Sequence, residues 1–151
     1  MKTHWIGDVI SGKHDQSEVH LKGWIHRSRG SKRMRFVVLR DSTGTVQCVI
    51  KRDAVGDDAF EVVESALIES SVEISGTAIP TDREHGHEVQ VSDIRIIGPV
   101  DPSRPFPITE SAMAEAEGGE TEFLLDNRHL YLRTGRMTTM LKIRSSVFGA
   151  I

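Results

Sequence analysis

Gly23-Trp24-Ile25-His26-Arg27-Ser28-Arg29-Gly30-Ser31-Lys32-Arg33-Met34-Arg35-Phe36-Val37-Val38-Leu39-Arg40-Asp41, continued through Gly44 to Gln47, reads as two strands joined by a basic loop and a tight turn into a third strand. In Val19 to Ile25 the apolar residues alternate, so Val19, Leu21 and Ile25 share a face. Gly23 in that row predicts a bend or bulge. Ser28 to Arg33 is a polar loop containing Gly30. Phe36 to Leu39 is the second strand, Asp41-Ser42-Thr43-Gly44 is a hairpin-turn sequence, and Val46 to Ile50 is the third strand.

On the N-terminal side, His4 to Ile10 reads as a short edge strand or turn packed down by Trp5, Ile6 and Val9, with Gly12 and Asp15 in a loop after it. On the C-terminal side, Phe60, Val63 and Leu67 fall at helical spacing, and Asp57 and Asp58 suit the positive end of that helix. Ser71 to Pro80 returns to strand, with Val72, Ile74 and Gly76 on one side. Thr81 to Gly86 is a charged loop. Val89 and Val91, then Ile94 and Ile96, make the fifth strand, and their change of parity predicts a bulge near Ser92-Asp93. Three strands, a helix and two strands is the order of an OB-fold, a small barrel whose second and third strands and adjoining loops bind oligonucleotides. A small β-barrel without a ligand is the alternative.

The expected architecture is therefore mainly β: a five-stranded OB-fold barrel with one inter-strand helix over residues 1–100, a linker over 101–122, and a helical segment over 123–151. Pro99, Pro102, Pro105 and Pro107 end the barrel. Thr109 to Thr121 is acidic and rich in small residues. From Phe123 onward, Leu125, His129, Leu132, Met137, Leu141, Val147 and Ile151 look helical, with Gly135 interrupting and no stop signal before Ile151.

The net charge of -3 hides an asymmetry. Residues 1–52 carry 11 Lys/Arg against 4 Asp/Glu, a net +7, whereas 53–151 carry 8 against 18, a net -10. A basic half points to a polyanionic partner. The lone Cys48 excludes a disulfide framework and fits a reducing cytoplasm. No apolar run approaches the about 18 residues of a membrane span. The sequence has no phosphate-binding P-loop, nucleophile elbow or dinucleotide fingerprint, and its seven histidines form no metal-ligand pair on a helix, so self-contained catalysis has no support.

Single-stranded bases are held by stacking on aromatics and by hydrogen bonds to their exposed edges. If Val37 and Leu39 are core, Phe36 points outward, and Gln47 on the next strand offers a donor and an acceptor to a base edge. Arg27, Arg29, Lys32, Arg33 and Arg35 are the expected phosphate contacts.

With these residues laid out, Gly23 to Arg29, Phe36 to Asp41 and Gly44-Thr45-Val46-Gln47 together resemble the anticodon-binding OB domain of the aspartyl/asparaginyl-tRNA synthetases. Phe123-Leu124-Leu125-Asp126-Asn127-Arg128-His129-Leu130-Tyr131-Leu132-Arg133 resembles the segment that opens their class II catalytic domain. Its His-Leu-Tyr-Leu-Arg wording is closer to the asparaginyl enzymes. The resemblance implies that Phe36 stacks on the central anticodon uridine, Gln47 reads its edge, and Arg29 contacts the same anticodon. The third base would be judged from loops, with 81–88 the candidate. The resemblance further implies a cytoplasmic, homodimeric full-length enzyme that joins asparagine to its tRNA with ATP and magnesium through an aminoacyl-adenylate. Met137 to Ile151 would begin its dimerisation helix, and the 151-residue chain, cut short, would hold no cofactor and be inactive alone. The competing expectations are an aspartyl enzyme, including a relaxed form charging both tRNAs, a free-standing single-strand binder, and an interaction module that binds no RNA.

Overall fold

The computed structural model describes residues 4–82, 86–108 and 121–150. It divides into two compact units, Met1–Pro105 and Phe106–Ile151. The first unit is a closed barrel of five strands: β1 (Glu18–Gly30), β2 (Met34–Arg40), β3 (Thr45–Lys51), β4 (Ser71–Pro80) and β5 (His87–Gly98), in the spatial order β1-β2-β3-β5-β4. All neighbouring pairs are antiparallel except β3 and β5, which run parallel. Closure removes free strand edges, which is how a five-stranded sheet satisfies its backbone donors.

The barrel interior is built from the alternating rows read in the sequence. Val19, Leu21 and Ile25 of β1, Val37 and Leu39 of β2, Val46, Cys48 and Ile50 of β3, Val72, Ile74 and Ala78 of β4, and Val89, Val91 and Ile94 of β5 are all buried. Two short helices, α2 (Arg52–Val55) and α3 (Asp57–Ser65), connect β3 to β4, and Phe60 and Val63 of α3 insert into the core. The helix stops short of the expected Leu67, because Ala66 is already extended.

Tight curvature falls where side chains are absent. At Gly23, where β1 hands over from β4 to β2, a Cβ would stand 2.4 Å from the Arg40 carbonyl oxygen. Gly23 thus permits a close approach rather than marking a bulge. The register shift in β1 lies at His26, between the pairs Ile25–Leu39 and Arg27–Val38. In β5 the shift falls at Ser92, between the pairs Ser75–Asp93 and Gly76–Val91, as the parity of its apolar residues predicts.

The N-terminal segment is not an edge strand. Ile6–Ile10 is a helical turn, α1, that buries Ile6 and Val9 while Trp5 stays 47% exposed. Trp5 supplies no side-chain cap, and the Asp41 carboxylate accepts the Ile6 N–H instead (3.2 Å). The same carboxylate accepts from Thr43 N (2.7 Å), Thr43 Oγ1 (2.6 Å) and Gly44 N (3.2 Å), so one side chain shapes the β2–β3 turn and caps α1.

The second unit carries three helices among its described residues: α4 (Thr121–Asp126), α5 (Arg128–Tyr131) and α6 (Gly135–Gly149). Gly135 opens α6 rather than interrupting a longer helix, and Thr134 is its N-cap residue. Met140, Leu141, Ile143, Val147 and Phe148 are exposed along α6. Most of the expected linker, residues 109–120, lies outside the described residues, as does Ile151.

Candidate nucleic-acid interface

Residues directly opposite one another in a sheet project to the same face. Two rows therefore cross the outer face of the barrel. One runs Arg27, Val38, Gln47, Glu88 and the other Arg29, Phe36, Val49, Gln90. Phe36 is half-buried and outside the core, where the alternation of Val37 and Leu39 places it. The Arg29 guanidinium lies 5.7 Å from the centre of its ring, within cation–π range. Val49, its partner on β3, is only 5% exposed yet does not belong to the core cluster.

Gln47 stands in the adjacent row. Its Nε2 donates to Glu88 Oε2 (3.4 Å), and Gln90 Nε2 donates to Glu88 Oε1 (2.7 Å). Sequence reasoning missed Gln90 as a member of the site and included Glu88 only within the 81–88 segment. The parallel pairing of β5 with β3 brings them there, and only their alternation with Val89 and Val91 signals it in the sequence. A carboxylate at this place repels phosphate but accepts readily from N–H groups on a base edge. The face thus offers an aromatic platform, amides, an acceptor and flanking guanidinium groups.

The basic loop is shorter than expected, because Ser28, Arg29 and Gly30 belong to β1 and only residues 31–33 form the tip. Ser31 N donates to the Met34 carbonyl (2.8 Å), which closes the turn. Lys32 and Arg33 are exposed, and among the described residues neither forms a salt bridge. Arg27 is exposed beside them on β1.

Arg35 departs from its expected role. It pairs with inward-facing Ile50, its Nη1 donates to Glu64 Oε1 (3.1 Å) and its Nη2 to Ser28 Oγ (3.4 Å), so its charge is committed to Glu64. The 81–88 segment lies in part outside the described residues; His87 and Glu88 belong to β5. His87 Nε2 sits 2.8 Å from Asp15 Oδ1, a tie between the β5 start and the loop before β1.

Other reactive groups are accounted for by packing. Burial pushes the Cys48 thiol up to about 12, so it stays protonated and inert. Among the described residues no group of three His, Cys, Asp or Glu side chains could hold a metal ion.

Strand order and closure define the class: this is an OB-fold protein, and the family model described as "OB-fold nucleic acid binding domain" matches residues 19–97. The chain belongs to that family. It is 41% identical over 145 residues to the asparagine–tRNA ligase of Thermoplasma acidophilum, an alignment covering 95% of this chain and 31% of that protein. A crystal structure of asparaginyl-tRNA synthetase from Pyrococcus horikoshii, complexed with asparaginyl-adenylate, superposes with a TM-score of 0.80 at 33% identity over 91% of this chain and 30% of that one. An OBody bound to hen egg-white lysozyme matches at TM-score 0.57 and 26% identity over 66% of this chain and 96% of its own. The chain spans about a third of the length of the curated relatives it matches. The barrel and the helices that end the chain both follow the synthetase.

Proposed function

We propose that this chain recognises a tRNA anticodon as the N-terminal part of an asparaginyl-tRNA synthetase. The observation that carries the reading is the pair of outer rows, in which Arg29 and Phe36 lie beside Gln47 with Arg27, Lys32 and Arg33 around them. Phe36 stacks on the central anticodon base and Gln47 hydrogen-bonds its edge. The guanidinium and ammonium groups meet the loop phosphates. Residues 1–100 serve as the anticodon-binding domain, 101–122 as the hinge and 123–151 as the opening of the catalytic domain.

The full-length enzyme activates asparagine with ATP and magnesium and transfers it to tRNA. ATP and magnesium belong to this reading of the full-length enzyme, and no catalytic step is assigned to the residues described in this chain. Exposed apolar residues along α6 support a homodimer of the full-length enzyme. No described helix is long and apolar enough to cross a membrane. A cytoplasmic location belongs to the same reading, because charging tRNA serves translation there.

The test is titration of the chain with anticodon stem-loop RNAs. A loop with G and U in its first two anticodon positions should bind best. Phe36→Ala and Gln47→Ala should each weaken it by about 1–3 kcal/mol with folding intact. Equal binding of unrelated oligonucleotides would instead mark a general single-strand binder. Salt-insensitive or undetectable binding would mark a protein-interaction module. Aminoacylation of both tRNAs by the complete enzyme, with each amino acid, separates the asparaginyl from the aspartyl assignment.

A further inference from the structure

Arg52 lies outside the core, and its charge is already answered within the barrel. It begins α2, and its Nη1 lies 2.8 Å from Asp57 Oδ1 and 3.6 Å from Glu61 Oε1, with Nη2 3.9 Å from Glu64 Oε2. Its guanidinium also sits 4.5 Å from the centre of the Phe60 ring, which anchors it to the core. Three carboxylates, one of them shared with Arg35, leave no net positive charge there to attract a phosphate.

The remaining donors of Arg52 point elsewhere. Its backbone N–H donates to the Arg33 carbonyl (3.0 Å) and its Nε donates to the Lys32 carbonyl (2.9 Å). Two consecutive carbonyls of the β1–β2 tip are thus tied to the α2–α3 segment, 20 residues away in sequence. Together with the Ser31 N–H held by the Met34 carbonyl, these bonds fix the backbone of the tip, while the Lys32 and Arg33 side chains remain exposed. A loop fixed in advance loses less conformational freedom when it meets its ligand.

We infer that Arg52 is a positioning residue for RNA binding: clamped by Asp57, Glu61, Glu64 and Phe60, it holds the tip so that Lys32 and Arg33 present their charges to the phosphates of the bound loop. This rests on the anticodon-binding reading above. Lysine cannot replace it, because an ammonium lacks the planar fork that serves a carbonyl and a carboxylate together.

The experiment compares the 151-residue chain with Arg52→Lys, with Lys32→Ala/Arg33→Ala, and with the triple variant, titrating an anticodon stem-loop RNA at several salt concentrations. Lys32→Ala/Arg33→Ala should reduce the slope of log affinity against log salt by about 0.7 for each phosphate no longer engaged. Arg52→Lys keeps the charge and should still weaken binding about three- to tenfold, with a shallower slope. In the Lys32→Ala/Arg33→Ala background it should weaken binding no further. Equal losses from Arg52→Lys in both backgrounds, or an unchanged salt slope, would overturn the inference. Failure of the parent chain to bind the RNA would instead overturn the anticodon reading. Should Arg52→Lys unfold the barrel, Asp57→Asn loosens the clamp without touching the tip. Amide exchange at Lys32 to Met34 should then accelerate while Val37 and Cys48 stay protected, and unchanged exchange would count against the clamp.

Discussion

Replacing Asp41 by alanine should remove a large share of the barrel's stability, and the structure sets the size. The carboxylate accepts four hydrogen bonds, from Ile6 N, Thr43 N, Thr43 Oγ1 and Gly44 N. Three of these donors are backbone amides, and Ile6 is itself fully buried, so its N–H has no ready replacement in water. At about 1 kcal/mol per bond, and more to an ionised acceptor, Asp41→Ala should cost about 3–5 kcal/mol. That compares with about 5–15 kcal/mol for a whole domain. Asp41→Asn separates the two roles of the side chain. Its oxygen still serves the turn at Thr43, but its amide meets the Ile6 N–H donor to donor, for an expected loss of about 1–2 kcal/mol. Urea unfolding followed by circular dichroism measures both losses. Amide exchange should quicken at Ile6 in either variant and at Gly44 chiefly in alanine. An Asp41→Ala loss under about 1 kcal/mol, or equal losses in the two variants, would refute the shared-acceptor argument.

Gly76→Ala should lower the urea midpoint by an amount equivalent to about 1–3 kcal/mol, since the new Cβ would stand 2.3 Å from the Gln90 carbonyl oxygen; Gly135→Ala, with nothing within 4 Å, should not lower it. Glu73 bridges Arg95 (2.6 Å) and Lys22 (3.1 Å) across three strands, and these partners, Arg95 first, hold its carboxyl down at about 2 against an ordinary 4.5. A lowered carboxyl stabilises above its unfolded value, so the advantage of the parent over Glu73→Gln in thermal midpoint should be full above pH 4.5 and vanish as pH falls through about 2. His4 is held below its ordinary 6.5 by burial and by the neighbouring His14 and His20 rings, and its Nδ1 accepts the His20 N–H (3.0 Å), which only the neutral ring can do. Stability should therefore drop as pH falls below 6.5, and His4→Asn, which keeps an acceptor without titrating, should flatten that drop.

The sequence carried those parts of the molecule in which apolar residues record the backbone geometry. The Ser92 bulge was legible because Val89 and Val91 precede it and Ile94 and Ile96 follow it out of phase. The His26 bulge was not, because Arg27, Ser28, Arg29 and Gly30 follow it and leave no apolar row to shift. The same polar run concealed the last three residues of β1 and made the loop look longer than it is. Ile6–Ile10 escaped because five residues are too few to display a period and the helix is capped from Asp41, 35 residues away. Phe36 and Gln47 were legible as outward residues from local alternation alone. Glu88 and Gln90 were not assigned to the same face, since that depends on which strand becomes the neighbour of β3.

The hidden bulge has the largest bearing on the site. In β1 the inward row before it is Val19, Leu21, Gly23 and Ile25, all odd-numbered. Unbroken alternation would carry Arg27 and Arg29 into the barrel, where an unpaired guanidinium costs several kcal/mol, at about the scale of a buried charge without a partner. The extra residue at His26 reverses the phase. Arg27 then pairs with Val38 and Arg29 with Phe36 on the outer face, while Ser28, small and hydroxylated, takes the inward place opposite Val37. Ser28 in turn accepts a hydrogen bond from Arg35, the arginine of this stretch that does face inward, and Glu64 supplies its countercharge. One inserted residue therefore sorts the cations of a single hairpin into two sets: Arg27 and Arg29 on the outer face, and Arg35 bound to Ser28 and Glu64.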